Sequence, residues 1–151
     1  MFKNKIIVLV EDNEQDEILT IRALKKNNIL NDIVVLRDGQ QAIDYFAKPD
    51  DDVDIQAILL DIKLPKLDGI EVLDFIRKQN HTKTVPVIVL TTSTEESDVI
   101  RSYSLGSNSY VKKPVNFDEF TSAVKQLGMY WLILNVPVSI QNKKPEPRVT
   151  T

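Results

Sequence analysis

The run IIVLV at positions 6–10 contains no polar residue, so neither face of the segment can be left to water. A strand buried on both faces is the structure that such a run suits. Comparable runs recur at 33–36, 56–60 and 86–90, and a shorter one lies at 109–112. After each but the one at 86–90, whose following helix is marked by its caps, comes a segment whose apolar residues step at helical spacing. Ile18, Ile21 and Leu24 mark the first. Ala42, Ile43 and Phe46 mark the second. Ile70, Leu73 and Ile76, with Val72, face inward along a third predicted over 69–79. Phe117, Phe120, Val124 and Leu127 mark the last.

The punctuation agrees with this alternation. Asp12 or Asn13 can cap the first helix, and Asn27-Asn28 ends it. Asp38-Gly39 reads as a turn. Ser93 with Glu96 has capping-box spacing, Gly106 suits a C-terminal cap, and Asn116 with Glu119 is a further start signal. A strand followed by a helix, five times over, predicts an α/β domain with a parallel sheet between helices. Right-handed crossovers leave few ways to connect it.

At 151 residues there is room for one such domain. A domain this size buries roughly 68–70% of its unfolded surface and needs no covalent staples. The chain has no cysteine, which removes disulfides and thiolate metal sites and agrees with a reducing compartment. No signal-peptide pattern opens it, and no apolar stretch approaches the roughly 18 residues of a membrane span. A cytoplasmic location is expected. The net charge is −3, with acids gathered at 11–17 and 49–54. That pattern argues against direct nucleic-acid binding, which calls for a basic stripe. His81 reads as an exposed loop residue.

In an open parallel sheet, ligands bind beyond the carboxyl ends of the strands. The first strand ends in Glu11-Asp12, the third in Asp61, the fourth in Thr91-Thr92 and the fifth in Lys112-Lys113. The alternation therefore places Asp61 at the mouth of the sheet rather than in its core, and brings three acids, a hydroxyl and an ammonium to one edge. Clustered carboxylates repel one another, and a hard divalent cation relieves that repulsion. Mg²⁺ favours oxygen ligands, retains water and takes phosphate oxygens. A carboxylate set between Mg²⁺ and a lysine can attack a phosphoryl group, with Thr91 donating a hydrogen bond to it. The bland readings are a helix cap for Glu11-Asp12, a turn residue for Asp61 and solvated surface for the lysines. Convergence of all of them on one edge favours chemistry.

The segments VEDN, LLDIKLPKLDG, VLTTS and YVKKP together resemble the receiver domain of two-component response regulators, over about residues 4 to 128. The resemblance implies a flavodoxin-like (βα)5 doubly wound sheet of order 2-1-3-4-5. It implies that Asp61 accepts a phosphoryl group from the phosphohistidine of a sensor histidine kinase. Mg²⁺ would be bound by Glu11, Asp12, Asp61 and the backbone carbonyl of Lys63. Lys113 and Thr91 would contact the phosphoryl group, and Tyr110 matches an aromatic switch position that responds to Thr91. The C-terminal LGMYWLILNVPV is similar to small regulators that accompany bacterial phytochromes, chiefly in cyanobacteria, so a phytochrome is the expected kinase. Thr92 departs from the small residues common at its position and restricts access. Lys63 lies near the path of attacking water.

The resulting expectation is a receiver domain over 4–135 with an extended C-terminal helix, then a flexible tail over 136–151, with no output domain. Met129, Tyr130, Leu132 and Ile133 fall off the helical stripe that covers the sheet, and are expected to form a homodimer interface. Two other functions fit parts of this pattern. A Mg²⁺-dependent phosphatase with an aspartyl nucleophile would need a general acid two residues after Asp61, where Lys63 stands. A pseudo-receiver that binds without being phosphorylated would be expected to lack a site residue, and none is missing.

Overall fold

In a computed structural model of the protein, the residues described are 3–91, 96–107, 109–112 and 117–128. The chain alternates as expected: β1 (Asn4–Val10), α1 (Glu14–Lys26), β2 (Asp32–Leu36), α2 (Gly39–Phe46), β3 (Val53–Leu60), α3 (Gly69–Lys78), β4 (Val87–Thr91), α4 (Glu96–Ser104), β5 (Ser109–Lys112) and α5 (Phe117–Gly128). The strands pair in parallel in the order β2-β1-β3-β4-β5, the flavodoxin-like arrangement.

Strand periodicity divides the core in two. Ile6, Val8 and Val10 pack on one face with Ala42 and Phe46 of α2 and the inner side of α3. Ile7 and Leu9 pack on the other with Ala23 and Leu24 of α1. Every residue of 6–10 is at most 2% exposed. Each such side chain contributes about 1.5–3 kcal/mol, an upper estimate because unfolded chains already bury some surface.

Several boundaries and faces differ from the sequence reading. β3 begins at Val53 rather than at 56, because its first half is only half-buried and lacks a continuous apolar run. A bulge at Gln56 shifts the β1–β3 register between Ile6 and Ile7, and the Gln56 side chain accepts a hydrogen bond from Asn31 at 2.7 Å. Ile18 is not on the inner face of α1; it is 49% exposed. The face turned inward carries Thr20, Ala23 and Leu24, with Leu19 and Ile21 packed beside it. Asp38 is more than a turn residue: it caps α2, its side chain accepting the Gln41 amide at 2.8 Å.

Other helix ends follow the sequence closely. α1 ends at Asn27, and Asn28 takes φ 62° while the Ile29 amide reaches back to the Leu24 carbonyl. Gly106, at φ +92°, closes α4 in the same way, with the Ser107 amide on the Ser102 carbonyl. Arg77, on α3, ties this corner down. Its Nε donates to the Gly106 carbonyl at 2.8 Å and its Nη1 to the Val85 carbonyl at 2.7 Å. Burial pushes its pKa below the usual guanidinium value. Ser93 and Asn116, the other two proposed cap residues, lie outside the described residues.

Candidate metal and phosphoryl-acceptor site

Two backbone hydrogen bonds carry the sheet one residue past its strands. The Glu11 amide donates to the Leu36 carbonyl at 2.9 Å, and the Asp61 amide donates to the Val10 carbonyl at 3.0 Å. The first acid of each strand end is therefore fixed by the ladder and not by a loop. Glu11 is 2% exposed and Asp61 7%, while Asp12 faces solvent. Asp61 thus stands at the mouth of the sheet, as expected, and is nonetheless largely enclosed.

The carboxylates of Glu11, Asp12 and Asp61 each offer an oxygen, all within 4.8 Å of one another. Three hard oxygen donors within that span fit around one small divalent cation, whose own bonds are about 2.0–2.1 Å for Mg²⁺. Neighbouring amides orient the two enclosed acids. The Lys63 amide donates to Asp61 Oδ1 at 3.0 Å, and the Asn13 amide to Glu11 Oε2 at 3.3 Å. Asn13 itself caps α1 by accepting the Asp16 amide at 3.0 Å, which leaves Asp12 outside that role. Of the two cap candidates, the structure selects Asn13.

Gly69 closes the site from behind. Its amide donates to the Ile62 carbonyl at 2.8 Å, and a Cβ there would strike the carbonyl oxygen of Asp61. Asp68 caps α3 through the Ile70 amide at 2.9 Å. The short path from Asp61 to α3 thus depends on glycine at 69, which the sequence marked only as the start of the helix.

On the other side of β3, Thr91 ends β4 and pairs in register with Lys112, while Tyr110 of β5 pairs with Val89. The strand order therefore brings the ends of β1, β3 and β4 side by side, as the sequence implied. The side chains of Thr91 and Tyr110, and the whole of Thr92 and Lys113, lie outside the described residues. So do Met129, Tyr130, Leu132, Ile133 and the tail. The described part of Lys63 contributes its amide to Asp61, and its side chain is exposed. Among the described residues no helix is long and apolar enough to cross a membrane.

Residues 7–125 match the family described as response regulator receiver domain. The chain belongs to that family, and the acidic cluster is its phosphoacceptor site. Individual relatives agree. The chain is 40% identical over 129 residues to the probable methanogenesis regulatory protein FilR2 of Methanothrix harundinacea, spanning 84% of this chain and 83% of that one. It is 40% identical over 135 residues to response regulator Rcp1 of Synechocystis, spanning 85% and 89%. A solved Mn²⁺-bound form of Rcp1 superposes with a TM-score of 0.79 at 38% identity, covering 88% of this chain and 98% of that one. The phosphorylated cyanobacterial phytochrome response regulator RcpA gives a TM-score of 0.81 at 36% identity, covering 90% and 99%.

Proposed function

We propose that this chain acts as a response regulator, with its receiver domain over 4–135 and a tail over 136–151, and that Asp61 is its phosphoacceptor. The observation that carries the reading is the meeting of Glu11, Asp12 and Asp61 within 4.8 Å at the ends of adjacent strands. The Lys63 amide on Oδ1 turns the Asp61 carboxylate and limits its rotation. An Asp61 carboxylate oxygen forms the bond to phosphorus as the P–N bond of the donor's phosphohistidine breaks. The released imidazole takes up a proton.

Mg²⁺, held by Glu11, Asp12, Asp61 and the backbone carbonyl of Lys63, would supply positive charge to the phosphoryl oxygens. Thr91 and Lys113 complete the set by contacting those oxygens, and Tyr110 is the residue through which Thr91 reports occupancy. A sensor histidine kinase is the donor. Likeness to RcpA supports a phytochrome as that kinase. Homodimerisation through Met129, Tyr130, Leu132 and Ile133 is the proposed output, favoured by how apolar that stretch is.

Intact mass after incubation with a small phosphodonor and Mg²⁺ tests the reading. The wild type should gain one phosphoryl group and Asp61→Asn none; an undiminished gain in the variant would sink the assignment. Sedimentation of the full chain beside Tyr130→Asp and Ile133→Asp tests the dimer. A wild type that stays monomeric at high micromolar concentration, with and without a phosphoryl mimic, would refute it.

A further inference from the structure

The loop between β3 and α3 carries Lys63, whose amide orients Asp61, and the loop is held at both ends. The near end is the Gly69 amide on the Ile62 carbonyl. The far end is less expected. There the Leu67 amide donates to the Pro65 carbonyl at 2.8 Å, closing a three-residue turn centred on Lys66. Lys66 sits at φ 70°, a left-handed conformation that costs energy for a residue with a Cβ. Such a conformation persists only where the surroundings over-determine it.

The surroundings come from the start of α2. The Gly39 amide donates to the same Pro65 carbonyl at 3.3 Å. A Cβ at Gly39 would strike both Cβ and the carbonyl oxygen of Leu67, so the two segments touch backbone to backbone. Lys66 Nζ lies 3.4 Å from Asp38 Oδ2. Asp38 Oδ1 is already engaged by the Gln41 amide, so this carboxylate does not swing freely to meet the lysine. Its side chain is 12% exposed against 68% for Lys66. An ion pair with one partner in solvent adds little to overall stability. It can still fix where a short loop stands.

We propose that Asp38 and Lys66 are positioning residues for phosphoryl transfer: with Gly39 they clasp the loop to the start of α2, and so hold the Lys63 amide on Asp61. The inference rests on Asp61 being the phosphoacceptor. The rival account is a helix cap beside an incidental surface pair.

The test uses the full chain and four variants, at saturating Mg²⁺, with mass gain from a small phosphodonor as the rate and thermal melting as the control. Asp38→Asn keeps the cap acceptor and removes the charge. Lys66→Gly removes the pair and relieves the left-handed backbone. Lys66→Arg keeps the charge. The fourth combines Asp38→Asn with Lys66→Gly. Misplacement of reacting groups is costly in rate, so each neutralising single variant should react about 5- to 10-fold more slowly. The double variant should be no slower than the slower single one, because both break the same contact. Lys66→Arg should react at close to the wild-type rate, and Lys66→Gly should melt no lower than the wild type. Slower transfer by Lys66→Gly without lost stability is what a merely structural pair does not produce. If the wild type reacts and the neutralising variants react equally fast, the clasp is overturned alone. If the wild type gains no phosphoryl group, the assignment of Asp61 falls and takes the clasp with it.

Discussion

The Asn13 side chain accepts the Asp16 amide at 3.0 Å, one residue beyond the exposed carboxylate of Asp12. Capping and metal ligation are thereby divided between neighbours, and the two roles can be separated by substitution. Asn13→Ala should lose about 0.5–2 kcal/mol of stability with or without metal. Asp12→Ala should weaken Mg²⁺ binding yet melt no lower than the wild type without metal, since it removes one of three clustered like charges. Melting curves with and without Mg²⁺ check both; a large loss of metal-free stability in Asp12→Ala would contradict the division.

Gly69→Ala should harm stability and chemistry together. The added methyl meets the Asp61 carbonyl oxygen, which belongs to the backbone and cannot turn aside. Overpacking of this kind costs about 1–3 kcal/mol. Urea unfolding should show the loss, and transfer from a phosphodonor should slow in the remaining folded protein. Wild-type stability in this variant would mean that the segment has room to move.

Arg77→Lys should destabilise by about 1–3 kcal/mol, because a lysine has no planar fork and leaves carbonyls without donors. The carbonyls of Gly106 and Val85 are the ones exposed to this loss. Urea unfolding measures the size. Amide exchange should also quicken at Gly106 and Ser107, where α4 ends; protection unchanged there would show that the corner holds without the guanidinium.

Asp38 gives a pH dependence with a defined sign. The Gln41 amide holds its carboxyl below the ordinary value of 3.8 against the opposing effect of burial, and Lys66 adds to the lowering. A lowered pKa contributes stability that is complete above the unfolded value and is lost as pH falls through the folded one. The stability advantage of wild type over Asp38→Asn should therefore be constant at neutral pH and shrink below about pH 4. An advantage unchanged down to strongly acidic pH would assign it to shape rather than charge.

The alternation of strands and helices and the three acids were legible because they depend on pattern and on strand ends, which sequence displays directly, whereas the order of the strands was implied only by the resemblance to receiver domains. Residues 6–10 could be placed only in a two-sided core, and that placement carried Glu11 and Asp61 to one edge. What escaped was decided by contact. Ile18 looked inward by its chemistry, yet the helix buries Thr20 and leaves Ile18 exposed. Nothing about a lysine at 66 suggests left-handed backbone, and Asp38 reads equally well as turn or cap until its partner amide is seen. The half-buried start of β3 has no apolar run to announce it.

Asp61 owes its place to a hydrogen bond with Val10, a residue on a strand far earlier in the chain. No local segment around the acceptor can recreate that bond by itself. A chain whose central strands have parted therefore presents a donor kinase with an ordinary, solvated aspartate. Competence to receive a signal is in this way a certificate of correct folding, issued by the same ladder that holds the molecule together.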